Sequence, residues 1–323
     1  MQSTKTKLED KLKIGLIQTA PVWLNRDKTA EKIIDYIKKA ARENCNIAAF
    51  GEGLLPGYPF WIEHTNGAEF NSAVQKEIYS YYLSQAVDIE AGHLDKICQT
   101  AKNEHIALYL GCIERPQDRG GHSLYCSLVF IDKKGEIKSV HRKLMPTYEE
   151  RLVWSPGDGH GLQVHRMGAF TAGGLNCWEN WMPLARAAMY AQGEDLHFAV
   201  WPGSKRNTED ITRCIAKESR SFVVSVSGLM RRLDIPADMP HSELLQESCP
   251  EVMADGGSCA AGPDGEWLVK PLTGEEGLTT VVIDHARVRE ERQNFDPSGH
   301  YSRPDVTKLT INRERQRILR FEI

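Results

Sequence analysis

The sequence predicts an α/β fold whose strands are mixed rather than purely parallel. Three observations lead there. Short apolar runs bounded by turn residues alternate with segments whose apolar residues recur at helical spacing. Two pairs of strands are joined by hairpin signals, which a purely parallel sheet would not carry. With 323 residues, 41% of them hydrophobic and 26% charged, there is enough chain for a large core of ordinary soluble composition. A mixed sheet, or two sheets with helices outside, fits this pattern.

Taken in order, Ile14 to Gln18 is an apolar run that stops at Ala20-Pro21 and reads as a strand. From Asp27 to Arg42, Ala30, Ile33, Ile34, Ile37, Ala40 and Ala41 fall on one helical face. Ile47 to Phe50 is the next strand. Leu94, Ile97, Cys98 and Ala101 mark a second amphipathic helix, and Ile106 to Ile113 a buried strand. Leu124 to Ile131 and Glu136 to His141 flank Asp132-Lys133-Lys134-Gly135, a hairpin turn. Phe170 to Asn176 is a strand, and Trp181 to Gln192 a helix that tolerates Pro183 in its first turn. Strands follow at Leu196 to Trp201 and Phe222 to Ser227, around a helix from Glu209 to Arg220. Ser258 to Ala261 and Trp267 to Val269 flank Gly262-Pro263-Asp264-Gly265, a second hairpin. Leu278 to Ile283 is the last strand. With no repeat, low-complexity tract or linker in view, one domain is expected over residues 11–309. Residues 1–10 and 310–323 are expected to be flexible or assembly tails.

Composition excludes several function classes. Lys plus Arg is 40 against 44 Asp plus Glu, a net charge of -4, so there is no basic excess for nucleic acid. A mean hydropathy of -0.43 and the absence of a long apolar stretch argue against a membrane span. Met1 to Lys13 is polar and lacks the apolar stretch of a secretory signal, so a cytoplasmic, reducing location is expected. None of the eight cysteines sits in a Cys-x-x-Cys pair or at zinc-ligand spacing, so neither a metal site nor a disulfide framework is expected. Most of them should be buried small hydrophobes.

One of the eight differs in setting. Gly173-Gly174-Leu175-Asn176-Cys177-Trp178-Glu179-Asn180-Trp181 carries a strand into a sharp turn before a helix. That context exposes a nucleophile, and a helix N-terminus beside it would favour the thiolate and lower the pKa of Cys177. A thiol nucleophile needs a base. None of the 11 histidines sits in a motif that pairs it with Cys177. Glu52, just past a buried strand and before the loop Gly53-Leu54-Leu55-Pro56-Gly57-Tyr58-Pro59, is placed to have a raised pKa and act as general base. His141-Arg142-Lys143-Leu144-Met145-Pro146-Thr147 leaves a strand with three basic residues, one of which can aim into a site as an electrophile.

These blocks together resemble the nitrilase branch of the carbon-nitrogen hydrolase superfamily. Glu52 in Glu-x-x-x-Pro-Gly-Tyr-Pro, Lys143 in His-Arg-Lys-Leu-Met-Pro-Thr and Cys177 in Asn-Cys-Trp-Glu-Asn occur in family order. Glu150-Arg151-Leu152-Val153-Trp154, Gly157-Asp158-Gly159 and Gly299-His300-Tyr301-Ser302-Arg303-Pro304-Asp305 are similar to further nitrilase signatures. The resemblance runs from about Ile14 to Asp305. It implies a four-layer αββα sandwich of two mixed β-sheets flanked by helices, which dimerises or assembles further. It implies a cofactor-free, metal-free Glu52-Lys143-Cys177 site, with Glu150 as a second glutamate and Tyr58, Trp154 and Trp178 lining the pocket. Two features depart from the family pattern. Glu149 stands where relatives often carry His, and the chain ends soon after Asp305, where many nitrilases continue into a tail that helps assembly.

The expected reaction is hydrolysis of a small-molecule nitrile to its acid and ammonia, through a Cys177 thioimidate and then a thioester. An amidase or carbamoylase of the same superfamily would use the same three residues, although Trp178-Glu179 after the nucleophile looks like the nitrilase branch. A cyanide-hydrating enzyme would differ in pocket size. An inactive assembly scaffold would not need all three positions intact.

Overall fold

A computed structural model of the protein describes residues 10–319. The chain runs β1 (Lys11–Gln18), α1 (Arg26–Arg42), β2 (Ile47–Phe50), α2 (Trp61–His64), α3 (Ala73–Gln85), α4 (Asp95–Asn103) and β3 (Ala107–Glu114). It continues with β4 (Tyr125–Ile131), β5 (Ile137–Arg142), β6 (His165–Met167), β7 (Phe170–Asn176), α5 (Pro183–Tyr190), β8 (Leu196–Trp201), α6 (Lys205–Ser219) and β9 (Phe222–Ser227). Last come β10 (Leu229–Arg231), α7 (Ser242–Ser248), β11 (Val252–Ala261), β12 (Trp267–Thr273), β13 (Gly277–Asp284) and α8 (His285–Asn294).

The strands form two mixed sheets. One has the order β13-β1-β2-β3-β4-β5, the other β10-β11-β9-β8-β7-β6 with β12 paired to β11. In each, three central strands are parallel (β1, β2, β3 and β7, β8, β9) and the flanking strands antiparallel. Both expected hairpins are present, as β4-β5 and β11-β12. Alternation along the strands sorts the side chains into layers. Ile14, Leu16, Ala49, Tyr109 and Phe130 from the first sheet meet Phe170, Phe198, Val200, Val224 and Val226 from the second. Ile17, Ala48, Leu108 and Leu110 turn the other way, onto Ile33 and Ile37 of α1 and Ile97 of α4. On the far side, Trp201 and Val223 pack under Ile211 and Ile215 of α6, and Leu175 under Ala185 and Met189 of α5. The layers are therefore αββα.

Several elements differ from the reading of the sequence. The helix expected from Trp181 starts at Pro183, because residues 177–181 form a 3-10 turn instead. The helix expected from Glu209 starts four residues earlier, at Lys205. Helix α3 carries no broad apolar stripe, only Ile78 and Tyr82 one turn apart, and the sequence pattern missed it. Within residues 310–319, side-chain and backbone groups of two residues tie the chain to the body. Arg315 donates to Asp158 (3.0 Å) and to the Val140 carbonyl (2.9 Å), and the Gln316 N–H donates to Asp158 (2.9 Å). Residues 1–9 and 320–323, parts of the expected tails, lie outside the described residues. Among the described residues no helix is long and apolar enough to cross a membrane.

One close approach ties this scaffold to the loop after β2. The Leu55 N–H donates to the Gly111 carbonyl of β3, and the Ile113 N–H to the Leu55 carbonyl. A Cβ on Gly111 would stand 2.2 Å from the Gly51 carbonyl oxygen and 2.8 Å from Glu52 Cα. Gly111→Ala is therefore expected to displace that loop and destabilise the fold by about 1–3 kcal/mol. Urea denaturation checks it, and an unchanged midpoint would contradict the contact.

Candidate active site

The loop after β2 brings Glu52 to the end of the sandwich where the parallel strands of both sheets finish. Its N–H donates to the carbonyl of Trp201 at the end of β8 (3.1 Å), so the two sheets touch through the backbone there. Lys143 follows β5. Its N–H donates to the Cys126 carbonyl and its carbonyl accepts from Gly157 N–H, which extends the pairing with β4 and turns the side chain inward. Glu150 sits in a 3-10 turn, Tyr148–Leu152, closed by a capping box with Thr147. Cys177 follows β7 and opens the 3-10 turn Cys177–Trp181.

These four side chains converge. Lys143 Nζ donates to Glu52 Oε1 and to Glu150 Oε2, each at 2.7 Å. The ligand-capable atoms of Glu52, Glu150 and Cys177 all lie within 4.8 Å of one another. Lys143 is 1% exposed, and the other three are equally buried. Such a trio can hold a cation, which the spacing in the sequence did not suggest. Here an ammonium stands between the carboxylates.

The hydrogen bonds give the two glutamates different freedom. Both oxygens of Glu150 are engaged, because Oε2 also accepts the Thr147 N–H and Oε1 the Tyr58 hydroxyl at 2.8 Å. Glu52 Oε1 accepts Lys143 and the thiol of Cys126 at 3.3 Å, while Oε2 is buried with no partner. One oxygen of Glu52 is thus free to take a proton.

Burial raises the Glu52 pKa to about 7, with Lys143 pulling down against it and Glu150 pushing up. Burial works against charge on Lys143, but the carboxylates of Glu52 and Glu150 outweigh it and hold the ammonium protonated. The thiol of Cys177 is pushed well above its ordinary value, first by burial and then by Glu52, with Lys143 opposing. This overturns the expected thiolate-favouring helix terminus. Cys177 heads a 3-10 turn and α5 begins only at Pro183, so the sulfur does not sit at the start of that helix, and burial raises its pKa. A resting thiol makes the neighbouring base necessary. The backbone at Cys177 is left-handed, with φ of 48°, a conformation non-glycine residues adopt only where their surroundings enforce it.

Of the three expected pocket walls, two reach the cluster. Tyr58 does so through the hydroxyl on Glu150 and lies edge-on to Trp154, ring centroids 5.4 Å apart. Trp154 is buried, with Lys143 Nζ 5.7 Å from its ring centroid and its indole N–H on the Tyr82 hydroxyl. Trp178 is not brought there. It is 48% exposed and leans on Trp181, because successive side chains of a 3-10 turn diverge by about 120°. Trp201 is core, and Trp181 is partly exposed.

Sequence reasoning missed Cys126, which nothing local separates from the other buried cysteines. All eight cysteines are free, six of them buried. It also missed the roles of Glu179 and Asn180. The Asn180 amide donates to the carbonyls of Cys177 (2.8 Å) and Leu175 (3.2 Å), and its oxygen faces His197 Nε2 at 2.8 Å. Asn180 thereby holds the strained turn from inside. The Asn176-x-x-Glu179 spacing, a capping-box signature, was the one available signal for Glu179.

The hydroxyl on Glu150 gives Tyr58 more than a wall role. Tyr58→Phe removes a hydrogen bond to a charged group, so a roughly 10- to 100-fold fall in turnover with folding retained is expected. Steady-state kinetics beside a thermal melt check this. Unchanged turnover would return Tyr58 to a purely apolar role.

Comparison with known proteins agrees with this geometry. The sequence pattern described as carbon-nitrogen hydrolase matches residues 13–293. The chain is 33% identical over 308 residues to Nitrilase 2 of an unknown prokaryotic organism, covering 95% of this chain and 94% of that one. It is 30% identical to Nitrilase 1 of Arabidopsis thaliana, covering 96% and 89% of the two chains. It is 33% identical to the bromoxynil-specific nitrilase of Klebsiella pneumoniae subsp. ozaenae, covering 96% and 87%. Among solved structures, the C. elegans NitFhit protein shares the fold with a TM-score of 0.70 at 15% identity, covering 96% of this chain and 69% of that one. A carbon-nitrogen hydrolase from Helicobacter pylori G27 does so with a TM-score of 0.64 at 19% identity, covering 91% and 96%. With the pattern spanning most of its length and relatives at 30% identity or more over nearly all of it, this chain belongs to the carbon-nitrogen hydrolase family.

Proposed function

We propose that the protein is a nitrilase that converts a small organic nitrile and two waters into a carboxylic acid and ammonia. The observation that carries the reading is a buried thiol beside a base with one free oxygen and an ammonium already in place. That several relatives at 30–33% identity are named nitrilases supports the nitrile over the amide.

Glu52 takes the proton of Cys177 through Oε2, and the sulfur attacks the nitrile carbon. The nitrogen gains charge and then the proton, which leaves a thioimidate. Lys143 stabilises that charge, an effect strengthened where water is excluded. Glu52 next deprotonates a water that adds to the thioimidate carbon, and ammonia departs to leave a thioester. A second water, activated in the same way, releases the acid and restores the thiol. Glu150 and Tyr58 act by holding Lys143 at the place where charge appears. Tyr58 and Trp154 supply apolar wall beside the cluster, and Trp178 would reach a substrate only from the outer side of its turn.

Two coarser inferences accompany this one. Trp178, Trp181, Met182 and Leu184 expose apolar surface around the start of α5, which supports self-association into a homodimer or larger assembly. Eight unpaired cysteines support a reducing, cytoplasmic location.

The test is ammonia release from a panel of nitriles and their matching amides, with Cys177→Ala as control. Nitrile turnover that falls at least about 10³-fold in the variant is the expected result. Turnover of the amides alone would make the protein an amidase, and turnover restored only by a divalent metal after EDTA would replace the Lys143 role. Lys143→Arg should fail nearly as badly as Lys143→Ala, because a planar guanidinium does not reproduce an ammonium shared by two carboxylates.

The raised pKa of Glu52 fixes a pH dependence. A general base works only when ionised, so kcat/KM should rise with pH through about 7 and fall below it, as Glu52 becomes protonated. A flat pH–rate profile between about pH 5.5 and 8.5 would show that another group is the base.

A further inference from the structure

We infer that Glu179 is a positioning residue, whose one carboxylate fixes the Cys177 turn of the second sheet against the Lys143 loop of the first. The inference rests on the reading of Cys177 as nucleophile and Lys143 as its electrostatic partner.

The two groups arrive on different sheets, and no backbone ladder joins those sheets. Glu179 bridges them within one residue of each. Its Oε1 accepts the N–H of Leu144, the residue after Lys143, at 2.6 Å. Its Oε2 accepts the N–H of Asn176, the residue before Cys177, at 2.9 Å. His141 Nε2, from β5, lies 3.1 Å and 3.0 Å from the two oxygens and pins the carboxylate between the segments. Because Nε2 faces two acceptors it carries the hydrogen, and the buried Nδ1 has no partner.

The Glu179 side chain is fully buried, so these bonds have no competition from water. Burial would raise its pKa, but His141 and the two backbone N–H groups outweigh it and hold the carboxyl below the usual range. An ionised carboxylate is the side chain suited to this place, because each of its oxygens must only accept. Gln would turn an NH₂ group toward one of the two N–H groups and release that segment. Asp is one methylene short and reaches only one segment at a time.

The consequence is kinetic. A misplacement of about 1 Å between reacting groups can lower a rate about 10²-fold without disturbing the fold. The experiment compares Glu179→Gln and Glu179→Asp with the wild type by circular dichroism, nitrile kinetics and the pH dependence of Cys177 alkylation by iodoacetamide, read by mass spectrometry. Alkylation needs no substrate, so its outcome stands even if the natural reaction is not nitrile hydrolysis.

The expected result is that both variants fold, that kcat falls about 10²-fold while KM stays within about threefold, and that the alkylation midpoint shifts by about half a pH unit or more. A variant that folds and keeps kcat within about threefold of wild type would overturn the inference. A fall in kcat with an unmoved alkylation midpoint would overturn it too, since Cys177 would then still sit in the same field. Failure of both variants to fold would assign Glu179 to stability alone and overturn the positioning role.

Discussion

A lysine ammonium shut away from water between two carboxylates is the interaction on which the other features of this protein depend. Lys143 reaches Glu52 and Glu150 at 2.7 Å each, at almost no exposure. Removing the ammonium would leave two buried carboxylates without a counter-charge, a loss of about 3–5 kcal/mol. The cluster therefore persists only if the surrounding backbone holds all three groups at once. The same confinement creates its chemistry. Burial lifts the Glu52 pKa to near neutrality and keeps the Cys177 proton on sulfur.

The sandwich supplies the confinement by ending its parallel strands together. Glu52 follows β2 and Lys143 follows β5 on one sheet, while Cys177 follows β7 on the other. The sheets meet at this end through the Glu52 N–H on the Trp201 carbonyl and through Glu179. Strand ends are suitable places for such groups, because the backbone there is fixed on one side by the ladder and free on the other to turn. The left-handed backbone of Cys177 and the capping boxes at Thr147 and Asn176 are the local means of making those turns tight. Each is supported from inside by a side chain, Glu150 for one and Asn180 with Glu179 for the other.

Much of this was legible in the residues. Short apolar runs located the central strands, since a strand buried on both faces leaves a run of apolar residues that no loop would carry. Both hairpins announced themselves through Asp132-Lys133-Lys134-Gly135 and Gly262-Pro263-Asp264-Gly265. Cys177 and Glu52 stood out by their strand-end settings, and Lys143 and Glu150 by the resemblance of their blocks to nitrilase signatures. Helix α3 and the binding of Arg315 to Asp158 did not stand out. The first buries too narrow a stripe for a periodic signal, and the second joins residues far apart in the chain with no local pattern to mark them.

What the sequence by itself determined was the strands, written in apolar runs and turn residues, and the settings of Cys177 and Glu52; the resemblance of further blocks to nitrilases added Lys143 and Glu150 as candidates. What only the tertiary structure decided was how those groups affect one another. Whether Cys177 rests as thiol or thiolate depends on desolvation and on charges brought from three other segments. Whether Tyr58 is a wall or a hydrogen-bond donor depends on Glu150, far away in the chain. Trp178 turned outward though it adjoins the nucleophile, because a 3-10 turn sends neighbouring side chains apart. Electrostatic and packing effects act through distance in space, and that distance is set only when the two sheets close on each other.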